Sequence, residues 1–208
     1  MTLLEVAVVL LVVGLIVAMG IRLQRNGLEA SAASVQRARL YQASQALVQY
    51  ALNEYRLPCP NVPMAGDVPT GVETKNSDGS CRASVGWLPY VALGLQVPNG
   101  QNVNTWMRYG VYVGLTRVNT ASALQAAVSN ALSISPNQSN PYVATDASCQ
   151  AVQLNPAFAL ALGAANVPQD PTSLCFVAGR GVAALQVRVE SLTDLLTQVR
   201  QIRIEKTM

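Results

Sequence analysis

The sequence predicts an α+β fold in which a long N-terminal helix of about 55 residues carries a small antiparallel β-sheet head on its C-terminal half. Two observations predict the helix: residues 1–21 are almost entirely apolar, and residues 22–55 contain no proline and one glycine. A third predicts the head, because short apolar segments separated by Pro, Gly and Asn follow Leu57. We therefore divide the chain into a long helix, 1–56, and a globular head, 57–208.

The composition resembles that of a secreted protein more than that of a cytosolic one. Half of the 208 residues are hydrophobic and only 12% are charged, well below the quarter that is typical of soluble domains. The net charge is +3 and no run of Lys or Arg occurs, so we predict no dedicated nucleic-acid site. The chain has no histidine and no motif of a serine hydrolase, zinc protease or P-loop enzyme. We therefore predict neither an enzyme nor a cofactor.

The first 21 residues read MTLLEVAVVLLVVGLIVAMGI, and Glu5 is their only charged side chain. As a helix they would be about 30 Å long, enough to span a bilayer core. A secretory signal peptide would need a basic start, but no Lys or Arg precedes Arg22. A plain membrane anchor does not account for Glu5, because a carboxylate in a transmembrane segment costs several kcal/mol. The third interpretation is an assembly helix, in which Glu5 meets the amine of residue 1 in a neighbouring copy.

The start MTLLEV, followed by the apolar run, resembles the start of a processed type IV pilin. In that family a prepilin peptidase removes a short basic leader, the new first residue is N-methylated, and a glutamate stands at mature position five. The resemblance implies that Met1 is the methylated residue and that Met1, Thr2 and Glu5 make the assembly contacts. The chain departs from the commonest pattern in having Met1 in place of Phe, and Arg22 where many pilins have a proline.

Two glycines, Gly14 and Gly20, lie inside the apolar run. Each costs about 1 kcal/mol relative to Ala in a helix interior. One interpretation is close helix packing in a membrane. The other, implied by the resemblance, is local unwinding when the subunit moves from the membrane into a filament, and the two interpretations are compatible.

Residues 22–56 continue the predicted helix with an amphipathic pattern, and Pro58 and Pro60 end it. The apolar stripe comprises Leu28, Ala32, Val35, Leu40, Ala43, Ala46, Leu47, Tyr50 and Ala51. Because no head of this size can bury the whole helix, the pattern predicts that residues 1–21 lie in a membrane or among other subunits.

The head begins with a loop-rich stretch, 57–98. The order LPCPN (57–61), GWLPYVALGL (86–95) and TWMRYGVYV (105–113) resembles a recurrent head module of prepilin-type proteins, which implies a strand at the third segment. Further along, periodicity predicts a helix at Ala121–Ile134, with Leu124, Val128, Ala131 and Leu132 buried. It also predicts a helical turn at Pro156–Gly163, a short strand at Leu174–Ala178, and two final strands around 185–190 and around 202–205.

The four cysteines are Cys59, Cys81, Cys149 and Cys175, and none forms a C-x-x-C pair. A zinc site would need all four of these widely spaced thiolates. Two disulfides are favoured instead, because the N-terminal features predict export to an oxidising compartment. Three connectivities are possible from the sequence. We predict the sequence-local pairing, Cys59–Cys81 and Cys149–Cys175, with each bond contributing about 3 kcal/mol.

An acidic loop contains Asp67, Glu73 and Asp78, which could gather calcium. Their spacing matches no dedicated calcium loop. The pattern therefore favours a solvated loop, and we predict no metal site.

Taken together, these features predict a structural subunit of an extracellular type IV pilus or a related filament. Its partners are copies of itself, a prepilin peptidase and an inner-membrane assembly machinery, and it resides in the inner membrane before assembly. The open alternatives are a pseudopilin of a type II secretion system, a minor pilin, and a single-pass anchored periplasmic or surface binding protein that does not polymerise.

Overall fold

The computed structural model describes residues 33–64, 67–98, 105–146, 148–163, 170–177 and 186–205. The chain divides into two compact units, Met1–Ala38 and Arg39–Met208. Of the first unit, residues 33–38 are described, and they are helical.

The described part contains three α-helices, seven strands and a short 3-10 turn, most of them short. In chain order they are α1 (33–54), β1 (Val85–Trp87), β2 (Arg108–Val111), the 3-10 turn (Val113–Leu115), α2 (Ala121–Leu132), β3 (Tyr142–Ala144), β4 (Val152–Leu154), β5 (Phe158–Leu162), β6 (Cys175–Val177), β7 (Gln186–Glu190) and α3 (Leu192–Glu205).

The strands form two sheets. The first is antiparallel, has four strands and follows the order β1-β2-β5-β7, with Tyr109 opposite Leu160 and Leu160 opposite Arg188. The second has three strands in the order β4-β3-β6, and its β3–β6 pair is parallel.

Strand β5 lies at the centre of the hydrophobic core, and all five of its residues are buried. Phe158, Leu160 and Leu162 belong to the main cluster, which also contains buried residues of α1, α2 and α3. Ala159 and Ala161 point to the opposite face, where they pack with Phe176 of β6. Side chains alternate across a strand, so the four-stranded sheet is covered by helices on one face and by β6 on the other.

Gly110 of β2 allows β6 to approach the first sheet closely. A Cβ atom at this position would lie 2.7 Å from Cε2 of Phe176 and 3.0 Å from Cβ of Pro141. Any larger residue would push the Phe176 ring away from the sheet.

Arg108 lies two residues before Gly110 on β2 and joins the two sheets. Its Nη2 donates to the carbonyl oxygens of Ser173, at 3.2 Å, and of Cys175, and its guanidinium lies 4.0 Å from the centroid of the Phe176 ring. Burial lowers the pKa of Arg108 to about 10, although the charge of Asp170 opposes this shift.

The predicted fold class is wrong in the length of its first helix and in its single sheet. The first helix that the structure describes covers 22 residues, 33–54, and not about 55. Val35, which the predicted stripe included, is 50% exposed, whereas Leu40, Ala43, Leu47 and Ala51 are buried as predicted. Tyr55 has φ +55, a left-handed conformation that stops a helix. Residues 1–32 lie outside the described part.

Several local predictions are confirmed and others are wrong. Helix α2 is confirmed and is capped by Thr120, whose Oγ1 accepts the Ala123 N–H at 3.2 Å, but Leu132 is 42% exposed. The strands predicted near Leu174–Ala178 and 185–190 are confirmed.

The helical turn predicted at Pro156–Gly163 is instead the central strand β5. The last predicted strand, around 202–205, is instead the end of α3. Ser191 caps this helix, because its Oγ accepts the N–H of Asp194 at 3.0 Å. Its buried residues, Leu192, Leu195, Leu196 and Val199, recur at helical spacing.

Candidate functional site

The residues predicted to drive assembly, Met1, Thr2, Glu5, Gly14 and Gly20, lie outside the described residues. The same holds for the apolar run that was predicted to span a membrane. Within the described ranges, no helix combines the length and the apolar character that crossing a membrane requires.

Both disulfides are formed, and the sequence-local pairing is confirmed. Cys59 is bonded to Cys81 with a Cα–Cα distance of 5.1 Å, and Cys149 to Cys175 with 6.0 Å. All four thiols are therefore consumed, which excludes the alternative of a four-thiolate zinc site.

The three acidic residues considered for calcium have separate surroundings. Glu73 forms ion pairs, Asp67 is exposed, and Asp78 accepts the backbone N–H of Ser80 at 2.9 Å while lying 3.8 Å from Nη2 of Arg117. Across the described segments, no three His, Cys, Asp or Glu side chains are arranged to hold a metal ion.

Glu73 anchors the loop closed by the first disulfide to the end of α1. Its Oε1 accepts from Nη1 of Arg56 at 2.8 Å and from the backbone N–H of Cys59 at 3.0 Å, and its Oε2 lies 2.6 Å from Nζ of Lys75. Tyr50 donates its hydroxyl to Oε1 at 3.3 Å and in turn accepts from Arg56. Burial raises the pKa of Glu73, but the hydrogen bonds and charges of Arg56 and Lys75 outweigh it and hold that pKa below its ordinary value.

Asn61 fixes the next part of the same loop from a buried position. Its Nδ2 donates to the carbonyl of Val72 at 2.7 Å and to Oγ1 of Thr70 at 3.1 Å, and its Oδ1 accepts the N–H of Thr70 at 3.1 Å. Its backbone exchanges two hydrogen bonds of 2.9 Å with Trp87 of β1. The loop is therefore held by a disulfide, by ion pairs and by a satisfied buried amide.

Four apolar side chains are exposed on this fixed loop and on the turn beside it. They are Met64, Val68, Val72 and Val91, whose exposed fractions range from 42% to 67%. A hydrogen bond of 2.9 Å from the Val91 N–H to the Gly71 carbonyl joins the turn to the loop. We call these four residues the apolar loop surface.

The apolar loop surface carries almost no charge. Within residues 62–72 and 89–98 the sequence has one charged residue, Asp67. Single exposed apolar residues are common on soluble proteins, whereas a group of them in a nearly uncharged region is typical of an interaction surface. The arrangement is therefore suited to contact with another macromolecule.

The apolar loop surface was not predicted from the sequence, in which residues 57–98 were predicted only as a loop-rich stretch. A signal was present in the stretch NVPMAGDVPTGV, 61–72, where a Met and several Val residues alternate with turn formers. Whether such residues are buried or exposed depends on the packing, which periodicity does not report.

Comparisons with known proteins add no relatives. No family model, curated protein sequence or solved structure matches this chain.

Proposed function

We propose that the chain is a structural subunit of an extracellular filament of the type IV pilus class. The observation that carries the proposal is the uncharged run Val6–Ile21 directly after Glu5. An isolated carboxylate beside such a run is expensive unless a partner compensates it. In this proposal a neighbouring copy supplies the cation, and Glu5 sets the axial register of the subunits.

The described part of the chain supports this proposal in two ways. Two disulfides suit a protein that works outside the cytoplasm, where an oxidising environment preserves them. The apolar loop surface offers exposed apolar side chains that another copy of the chain could contact.

The proposal includes a location and partners. A prepilin peptidase processes the subunit, residues 1–21 hold it in the inner membrane, and an inner-membrane assembly machinery then moves it into the growing filament. Its further partners are copies of itself. We propose no enzymatic activity and no cofactor for it.

The test compares two variants in the organism that makes the protein. Glu5→Ala is expected to abolish the filaments that electron microscopy finds in material sheared from the cell surface, while the protein still accumulates in the membrane fraction. Glu29→Ala is the matched control, since it removes an acidic residue that lies beyond the apolar run, and it is expected to leave filaments normal.

Normal filament yield from Glu5→Ala would refute the role of this carboxylate. Absence of filaments from the unmodified strain would instead favour the anchored binding protein, a minor pilin or a pseudopilin. Mass spectrometry of purified filaments adds an independent readout, because a methyl group on the amine of Met1 would establish prepilin processing.

A further inference from the structure

A cleft of about 450 Å³ lies beside α1, within the Arg39–Met208 unit. Arg39 and Gln42 of α1 form one side of it, and Tyr90, Gln96, Val97 and Met107 contribute to the others. This volume falls in the range of sites that enclose small molecules. The apolar loop surface and the N-terminal run contribute none of its lining residues.

The cleft carries a single positive charge, on an arginine that is exposed to solvent. Arg39 is the only charged residue among those lining it. Within the described segments, no carboxylate forms an ion pair with Arg39. A guanidinium presents donors in a planar fork that matches a carboxylate, so Arg39 gives the cleft a group that can recognise an anion.

Tyr90 provides a second donor from a buried position. Its side chain is 4% exposed, its hydroxyl oxygen accepts the backbone N–H of Met107 at 3.1 Å, and its ring stands edge-on to Trp106 at 5.4 Å. Among the described residues, no acceptor takes the hydroxyl hydrogen. Burial raises the pKa of Tyr90 to about 12, although the Met107 N–H and the charge of Arg39 oppose this. The phenol therefore keeps its hydrogen at neutral pH.

We propose that this cleft binds a small organic carboxylate through the guanidinium of Arg39 and the hydroxyl of Tyr90. Leu95, Val97 and Pro98 provide an apolar wall for the body of the ligand, and Gln42 and Gln96 provide amides that can donate or accept. A single cation matches the single negative charge of a carboxylate, whereas a phosphate dianion would leave charge uncompensated. This activity is independent of filament formation.

Titration of the full-length protein in non-ionic detergent, followed by NMR of its backbone amides, tests the proposal. The probes are benzoate and two analogues of similar size, the neutral benzamide and the cationic benzylamine. Benzoate is expected to shift the signals of Gln42, Gln96 and Met107 saturably, with a Kd on the order of 1 mM. The neutral and cationic analogues are expected to give no saturable shift.

Three variants locate the site. Arg39→Gln is expected to weaken benzoate binding about tenfold, and Tyr90→Phe, which removes only a hydroxyl, about fivefold. Arg37→Gln removes an exposed arginine of the same helix that does not line the cleft, and should leave the affinity unchanged. Thermal unfolding checks that Tyr90→Phe is folded, and Arg39 is exposed, so its replacement should not disturb the core.

Three results would overturn the proposal. They are equal binding of benzamide and benzoate, unchanged benzoate affinity in Arg39→Gln, and no saturable shift with benzoate up to about 20 mM, where a site of this strength would be nearly filled.

Discussion

The hydroxyl of Tyr109 donates a hydrogen bond of 3.0 Å to the backbone carbonyl of Pro58, and both residues are buried. Tyr109 belongs to β2, and Pro58 lies between the end of α1 and Cys59. The neighbouring Leu57 N–H donates to the carbonyl of Leu115 at 2.8 Å. The contact therefore fixes the chain where it leaves the helix and enters the loop closed by the first disulfide.

Removing the Tyr109 hydroxyl is expected to destabilise the fold. Tyr109→Phe keeps the ring and leaves the buried carbonyl of Pro58 without this donor, which should lower the free energy of unfolding by about 1.5 kcal/mol. Burial raises the pKa of Tyr109 well above its ordinary value, so the effect should be constant around neutral pH. Chemical denaturation at equilibrium measures it.

Tyr112→Phe is the matched control for this prediction. Tyr112 is also buried, but its hydroxyl has no hydrogen-bond partner in the described part of the chain. The control should change the free energy of unfolding by less than about 0.5 kcal/mol. Equal effects of the two variants would show that the Tyr109–Pro58 bond contributes nothing specific.

Glu73 should make the stability of the protein depend on pH in the acidic range. Its folded-state pKa lies below the ordinary value of 4.5, so its contribution is fully present above the pKa of the unfolded chain and is lost as pH falls through the folded-state pKa. Glu73→Gln cannot ionise and loses the ion pairs with Arg56 and Lys75. We expect it to lower the free energy of unfolding by about 2 kcal/mol at neutral pH.

The measurement is a series of denaturation curves for wild type and Glu73→Gln from neutral pH down to about pH 3. The difference between the two proteins should shrink as the pH falls. Asp67→Asn is the control, because Asp67 is an exposed acid of the same loop, and its difference from wild type should stay small throughout. A difference for Glu73→Gln that is independent of pH would argue against ionic stabilisation.

Elements with a local signal were predictable from the sequence, and elements that depend on distant partners were not. Helix α2 has a capping Thr120 and a buried face at helical spacing, so its sequence specifies it. Strand β5 is a short apolar run that periodicity cannot distinguish from a buried helical turn. Its identity depends on pairing with β2 and β7, which lie far away in the chain.

The end of α3 shows a different cause of error. The alternation of apolar and charged residues at 202–205 favoured a strand, whereas the capping pair Ser191 and Asp194 starts a helix that runs through this segment. Once a helix is nucleated and packed, it continues through residues of mixed preference. The disulfide pairing was predictable because partners near in sequence lie near in this fold. In the second sheet only β6 was predicted, from its apolar run, whereas β3, β4 and the pairing of the three strands have no local signature.

The apolar loop surface provides the last prediction, which depends on the proposed filament. Val72→Asp and Val91→Asp each place a charge on an exposed position, 50% and 54% accessible in the native protein. Exposed substitutions usually change stability by less than about 0.5 kcal/mol, so the head should stay folded. A charge trapped between two subunits would have to be desolvated, so the yield of sheared filaments should fall at least about tenfold.

Ile134→Asp is the matched control, because Ile134 is 53% exposed and lies outside this surface. It should keep its filaments. An equal loss in all three variants would show that this loop has no special role in assembly.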